Sequence, residues 1–198
     1  MNSNAMQRAD FAAIANWIKP AARVLDLGCG DGTLLRYLAG QRDTIGYGVE
    51  IDDDGILACI KNGVNVVQGN LERGLSGFAD GSFDYVILSQ TLQAVRSSER
   101  VVREMLRVGR QGIVTFPNFG YWRNRLQVIS GNMPVSDNLP YTWFDTPNIH
   151  LCTITDFENF CSTHDVRILE RIVMRDGNAV KFLPNLFGSL AVYRFERA

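Results

Sequence analysis

The sequence has almost no excess of either charge and no long hydrophobic run. Its 198 residues carry 20 Lys and Arg against 21 Asp and Glu, which gives a formal net charge of −1. No stretch without a charged residue exceeds 12 residues, whereas a membrane-spanning helix needs about 20 apolar residues. A balance near zero also provides no general basic field for phosphate backbones. We therefore expect a soluble protein whose partners include neither a membrane nor generic nucleic acid, although a local basic patch could survive.

Cysteine and histidine are scarce. No two cysteines have the Cys-x-x-Cys spacing of a zinc or redox site; they are Cys29, Cys59, Cys152 and Cys161. We expect free thiols in a reducing cytoplasm, and no metal site. Of the two histidines, His164 is expected near a helix end, where it is solvated or caps the helix. His150 is equally consistent with a pocket or a surface position.

The chain start also lacks a targeting signal. Residues 1–6, Met-Asn-Ser-Asn-Ala-Met, have neither the basic start nor the apolar stretch of a signal peptide. We interpret them as an expression remnant or a disordered start. The sequence is 46% hydrophobic, and the remainder, residues 7–198, is long enough for one domain with a sizeable core.

Short apolar runs alternate with amphipathic stretches, a pattern typical of βαβ units and a parallel sheet. The apolar runs predict strands at 22–27, 45–51, 64–67, 83–88, 113–116, 166–174 and 189–195. Helices are predicted at 33–39, after Asp52, from Ser97 to Val108, and after a capping box formed by Thr155 and Glu158. The fold class is therefore α/β: a doubly wound, Rossmann-like sheet, mostly parallel, with an antiparallel C-terminal strand pair.

A glycine-rich turn, Gly28-Cys-Gly-Asp-Gly32, directly follows the first predicted strand. Such a turn lets a ligand approach the backbone. It is not a dinucleotide fingerprint, because Thr33 stands where G-x-G-x-x-G requires its last glycine, and no Gly-Lys-Ser/Thr of a P-loop follows. Asp31 would also repel a diphosphate, by roughly 4 kcal/mol at 4 Å, unless its side chain turns away or caps its own helix. A nicotinamide oxidoreductase is therefore disfavoured.

An acidic residue ends the second predicted strand. Glu50 follows Gly28 by 22 residues, and a carboxylate at that place can accept the hydroxyls of a ribose. The alternative is a solvated acid beside Asp52, Asp53 and Asp54.

Together, the sequences Val24-Leu-Asp-Leu-Gly-Cys-Gly-Asp-Gly32 and Gly69-Asn-Leu-Glu72, with Glu50 between them, resemble the class I S-adenosylmethionine-dependent methyltransferases. The resemblance implies S-adenosylmethionine as cofactor. It implies that the loop supports the methionine part, that Glu50 holds the ribose, and that Asn70, at a position usually Asp, reaches the adenine amino group. The full implied set of cofactor-binding residues is Asp26, Gly28, Gly30, Glu50, Ile51, Asn70, Leu71 and Ser89, of which Ser89, with Gln90, would line the methyl-transfer pocket.

The least regular part of the chain follows the fifth predicted strand. An aromatic insertion at about 117–150 contains Tyr121, Trp122, Trp143 and Phe144. It is consistent with a lid over a small substrate, with a surface that docks a protein partner, or with a folded loop whose aromatic residues form a satellite core. This segment, with the glycine loop and Gly46-Tyr-Gly-Val-Glu50, resembles the methionine biosynthesis protein MetW family. That resemblance implies a compact methyltransferase-like protein, commonly alongside a homoserine O-acyltransferase.

No catalytic residue can be assigned from the sequence. Methyl transfer from a sulfonium is an in-line displacement in which the protein mainly supplies alignment. The fourth strand ends in Leu88-Ser-Gln-Thr-Leu92, not in the Asp/Asn-Pro-Pro-aromatic sequence of amino-directed nucleic-acid methyltransferases. Two hypotheses stay open: a methyltransferase acting on a small molecule, and a non-catalytic or regulatory protein that activates a homoserine O-acyltransferase.

Overall fold

The computed structural model describes residues 9–198, which contain one eight-stranded sheet. Its strands are β1 Arg23–Leu27, β2 Ile45–Glu50, β3 Asn65–Gln68, β4 Phe83–Ser89, β5 Gly109–Pro117, β6 Val166–Arg175, β7 Asn178–Ala179 and β8 Leu190–Arg197. The order across the sheet is β3-β2-β1-β4-β5-β8-β6-β7. The first five strands are parallel, and β8 lies antiparallel between β5 and β6. The predicted fold class is confirmed, whereas the interpretation of residues 1–6 falls outside the described residues.

Helices connect the strands on both faces of this sheet. They are α1 Ala9–Trp17, α2 Thr33–Arg42, α3 Asp53–Lys61, α4 Ser98–Val108, α5 Trp122–Ile129, α6 Ile154–Thr163 and α7 Pro184–Phe187, with short 3₁₀ helices at Leu71–Arg73 and Leu92–Ala94. The sequence pattern predicted α2, α3, α4 and α6. It missed α1, α5 and α7, of which α5 lies inside the aromatic insertion.

Two apolar cores fill the space between the sheet and its helices. On one face, Ile14 of α1 and Leu38 of α2 pack with Val24 of β1. On the other face, Met105 of α4 and Phe157 of α6 pack with residues of β1, β4, β5 and β8. Among residues 9–198, no helix is long and apolar enough to cross a membrane.

The predicted capping box of α6 was wrong by two residues. The box is formed by Thr153 and Asp156: the Thr153 hydroxyl accepts from the Asp156 amide at 3.2 Å, and Asp156 accepts from the Thr153 amide at 2.9 Å. Both Thr-x-x-acid pairs have the required spacing, but the predicted pair makes tertiary contacts. The Thr155 hydroxyl accepts from Asn185, and Glu158 accepts from the Tyr193 hydroxyl at 2.9 Å each. Local spacing could not distinguish the two pairs.

The strand order reverses between β1 and β4, which both lie in the middle of the sheet. In open α/β sheets, ligands bind outside the carboxyl ends of the strands at such a switch point. The connection from β3 to β4 contains only the 3₁₀ turn Leu71–Arg73 in place of an α-helix. Arg107 fastens this connection from α4, because its guanidinium donates to the carbonyls of Leu75 and Phe78 at 2.9 and 3.1 Å.

Candidate functional site

The glycine loop that follows β1 has a backbone conformation that residues other than glycine rarely adopt. Gly28 and Gly30 have φ values of +69° and +54°, in the left-handed region that glycine enters without steric cost. The amides of Gly28 and Cys29 both donate to the Val49 carbonyl, at 2.8 and 3.2 Å. A Cβ at Gly28 would lie 2.9 Å from the Thr91 side chain. The loop therefore lies close to both the end of β2 and the segment after β4.

The Glu50 carboxylate fastens this loop from the end of β2. Its Oε2 accepts from the Gly30 amide at 2.7 Å, and its Oε1 accepts from the amides of Ile51 and Asp52 at 2.8 and 3.0 Å. A carboxylate has about four acceptor positions, so about one stays available on Oε2. Glu50 is only 9% exposed. The residue therefore orders the site itself and retains about one position for a ligand hydroxyl.

Beneath the loop lie buried groups that support it. Asp26 in β1 is buried. The Cys59 thiol donates to the Gly30 carbonyl at 3.1 Å, and the two sulfurs of Cys29 and Cys59 are 3.7 Å apart. Burial, followed by the charge of Asp26, raises the pKa of the Cys29 thiol well above its usual range. These thiols are free and pack as neutral groups.

A cavity of about 430 Å³ opens at the carboxyl ends of β1, β2 and β3 and beside the segment after β4. Five of the predicted residues line it: Gly28, Glu50, Ile51, Asn70 and Leu71. Three do not: Asp26, Gly30 and Ser89. Eight further lining residues were not predicted from the sequence, and they are Val49, Gly69, Glu72, Thr91, Ala94, Val95, Arg96 and Ile149. This volume lies in the range of small-molecule sites.

The far wall of the cavity is formed after β3. The Asn70 side chain begins the 3₁₀ turn by accepting from the Glu72 amide at 2.9 Å. Leu71 is half-buried and packs on the core, while Ile51 is 59% exposed beside the cavity. This wall therefore combines the polar Asn70 side chain, which already accepts one backbone hydrogen bond, with the apolar side chains of Leu71 and Ile51.

Ser89 and Gln90 lie at the end of β4, and neither lines the 430 Å³ cavity. The Gln90 amide donates to both the carbonyl and the hydroxyl of Thr115, at 2.9 and 3.0 Å, and Gln90 has a φ of +51°. Gln90 lines a separate cavity of about 530 Å³, together with Tyr121, Arg123 and other residues of the insertion. Non-glycine residues in this strained conformation are enriched at functional sites.

The insertion is folded at its start and exposed beyond it. Tyr121 is buried, but Trp143 and Phe144 are 75% and 73% exposed and contact each other with ring centroids 5.7 Å apart. The expectation of a satellite core therefore fits Tyr121 and the half-buried Trp122, whose ring centroids lie 6.0 Å apart, but not Trp143 and Phe144. Among the described residues, 10 of the 18 exposed large hydrophobic side chains lie within residues 126–151. Exposed apolar side chains are thus concentrated in this stretch of the chain.

The two histidines both line a third cavity, of about 850 Å³. His150 places Nε2 3.0 Å from the Arg96 carbonyl. His164 follows the last residue of α6, where its Nδ1 lies 2.8 Å from the Phe160 carbonyl. That position corresponds to the expected helix-end location.

The sequence offered no signal for the lining residues that follow β4. Thr91, Ala94, Val95 and Arg96 follow a strand without a motif, and Ile149 comes from a distant segment. A partial signal was available for Glu72, because it closes the Gly69-Asn-Leu-Glu72 sequence.

Comparison with known proteins places the chain in a family. Residues 8–195 match the family described as methionine biosynthesis protein MetW. The chain belongs to the MetW family. A relative from Rhodopirellula baltica, the bifunctional methionine biosynthesis protein MetXA/MetW, is 35% identical over 95% of this chain and 32% of its own length. The MetW chain thus spans about a third of that relative.

Solved structures show the same fold at low sequence identity. A SAM-dependent methyltransferase from Archaeoglobus fulgidus has a TM-score of 0.67 at 16% identity, covering 96% of this chain and 92% of its own. The [4+2]-cyclase SpnF also has a TM-score of 0.67 at 16% identity, covering 96% and 80%. The fold of this MetW protein is that of the class I methyltransferases, and it also occurs in a protein named for other chemistry.

Proposed function

We propose that this MetW protein binds S-adenosylmethionine in the 430 Å³ cavity and acts in methionine biosynthesis as a methyltransferase-like protein on a small molecule. The observation that carries the proposal is the convergence of Gly28, Glu50, Ile51, Asn70 and Leu71 on that one cavity at the switch point of the sheet. We further propose that residues 7–198 form one domain with 117–150 as its insertion.

The residues present fit the cofactor. Glu50 retains about one acceptor position beside its three amide bonds, which suits a ribose hydroxyl. The carboxylates of Glu50 and Glu72 line the cavity with one cation, Arg96, and an excess of carboxylates favours a cationic sulfonium. When bound, the cofactor supplies an electrophilic methyl group and its own leaving group.

Methyl transfer would require an acceptor near the end of β4. We propose the 530 Å³ cavity, which is lined by Gln90 directly after the end of β4 and by Tyr121 and Arg123 of the insertion, as the place for a small acceptor. The role of these residues would be to exclude water and align the acceptor. We assign no base.

Titration calorimetry with S-adenosylmethionine and its demethylated product tests the cofactor proposal. Wild type should bind both, and Glu50→Ala should weaken binding by about 1 to 3 kcal/mol through the lost charged hydrogen bond and the released loop. The matched control is Asp54→Ala, because Asp54 is an exposed acid at the same end of the sheet that does not line the cavity. No binding of either compound by wild type at millimolar concentration would contradict the proposal.

A second function is favoured by the exposed apolar side chains of the insertion and by the relative that carries MetXA and MetW in one chain. In this proposal the protein binds and activates a homoserine O-acyltransferase without transferring a methyl group. Co-purification of the two proteins and acyltransferase assays with and without this chain decide the matter. No complex and no change in rate would contradict this second function.

A further inference from the structure

We infer that the backbone at residues 149–150, here called the strap, forms the outer wall of the nucleoside site, with Ile149 as a contact that determines affinity for a purine base. The inference rests on the proposed cofactor site. It adds to that site a residue from the insertion, more than 50 residues beyond the nearest other lining residue.

Three hydrogen bonds hold the strap in place. The amides of Ile149 and His150 both donate to the Gln93 carbonyl, at 2.7 and 3.0 Å, and His150 Nε2 lies 3.0 Å from the Arg96 carbonyl. The segment that receives these bonds is itself anchored, because the adjacent Leu92 and Val95 are buried in the core. The strap therefore has a defined position against the segment after β4.

A chain of contacts places the strap at the base end of the cavity. The Arg96 amide donates to Glu72, and the Glu72 amide donates to Asn70. Asn70 is the residue expected at the adenine amino group. Gly28, which is expected at the methionine part, packs instead against the side chain of Thr91.

The exposure of two isoleucines that line the cavity indicates which chemical group would bind between them. Ile149 and Ile51 are 51% and 59% exposed, yet both line the same cavity. A flat, largely apolar ring would remove both from water, and apolar burial of this kind is favourable. Ile51 directly follows Glu50, the expected ribose residue, so a base attached to that ribose lies within reach of Ile51.

The strap also separates two cavities. Ile149 lines the 430 Å³ cavity, His150 lines the 850 Å³ cavity, and Arg96 lines both. Binding of a base against Ile149 would consequently stabilise the last residues of the insertion.

Calorimetry with S-adenosylhomocysteine and with adenosine alone tests the inference. Ile149→Ala should weaken binding of both compounds at least fivefold, and Ile149→Leu should restore most of the affinity. The matched control is Ile129→Ala, because Ile129 is an 81% exposed isoleucine of the same insertion that does not line the cavity. Its affinity should stay within twofold of wild type.

The outcomes separate this inference from the proposed function. Binding by wild type with unchanged affinity of Ile149→Ala would overturn the role of the strap and leave the cofactor site standing. Absence of binding by wild type would overturn both. Hydrogen exchange gives a second readout: S-adenosylhomocysteine should slow exchange of the Ile149 and His150 amides in wild type, and unchanged exchange would contradict the coupling.

Discussion

The cofactor-side loops and the aromatic insertion are built in opposite ways. The loops are held by bonds between strand ends that are close in sequence, such as the Gly30 amide to Glu50, 20 residues apart. The insertion starts from Asn118, a fully buried residue whose side chain donates to the Gly188 carbonyl 70 residues away. Beyond that anchor it exposes Trp143 and Phe144 to solvent.

The difference separates the part of the site that the common sheet positions from the part that the insertion adds in this protein. In a parallel sheet the carboxyl ends of neighbouring strands already lie side by side, so Glu50 bridges only adjacent loops. The insertion instead needs one buried polar hub at its base, and its outer surface contributes little to the core. Four changes test this contrast, in order of their expected effect on the free energy of unfolding.

Asn118→Ala should have the largest effect, a loss of about 3 kcal/mol, because several buried backbone groups lose their partner. The Asn118 amide group donates to the carbonyls of Asn185 and Gly188 at 3.1 and 2.8 Å, and its oxygen accepts from the Gly120 amide at 3.0 Å. Urea unfolding measures the loss. The control is Asn132→Ala, whose exposed side chain bonds to nearby Ser130; equal effects in the two variants would contradict a hub at Asn118.

Gly28→Ala should cost about 2 kcal/mol, because its φ of +69° is strained for alanine and the new Cβ would meet Thr91 at 2.9 Å. Gly40→Ala is the matched control with the opposite sign. Gly40 lies in α2, where an added Cβ would meet no atom within 4 Å, and alanine favours a helix by roughly 0.5 to 1 kcal/mol. Thermal unfolding of both variants checks the pair, and a neutral Gly28→Ala would show that the loop is not constrained.

Glu104→Gln should cost about 1 to 2 kcal/mol at pH 7, after allowance for solvent screening. Hydrogen bonds from Arg107 lower the pKa of Glu104 to about 2, below its unfolded value of about 4.3. The stabilisation is therefore fully present above about pH 4.3 and is lost as the pH falls towards 2. Unfolding measured from pH 7 to pH 2 should show the difference from wild type shrinking; a constant difference would exclude this ion pair as its cause.

The double change Trp143→Ser and Phe144→Ser should have the smallest effect on stability, within about 0.5 kcal/mol, because both side chains are mostly exposed. Binding of a homoserine O-acyltransferase, measured by co-purification, should nevertheless be lost. Leu57→Ser is the control, since Leu57 is 52% exposed on α3, away from the insertion. Loss of stability without loss of binding would assign these aromatic residues to the core.

The sheet and the first half of the site could be predicted because local chain geometry specifies them. Buried parallel strands appear as continuous apolar runs, and the turn after β1 requires glycines at Gly28 and Gly30. Glu50 could be placed at a strand end, but its bonds to three backbone amides depend on how the loop folds back.

The remainder depends on contacts that a sequence pattern does not encode. The capping box of α6 was misplaced because Thr155 and Glu158 bond to Asn185 and Tyr193, which are distant in sequence. Ile149 reaches the cavity only through the backbone bonds of the strap to Gln93. The exposure of Trp143 could not be predicted from its type, since aromatic residues are more often core.

A crystal structure of the protein with S-adenosylhomocysteine tests the central claim most directly. We predict the nucleoside in the 430 Å³ cavity, a ribose hydroxyl bonded to Glu50, and the base between Ile51 and Ile149. Ligand density only in the 850 Å³ or 530 Å³ cavity, with the 430 Å³ cavity filled by solvent, would contradict it.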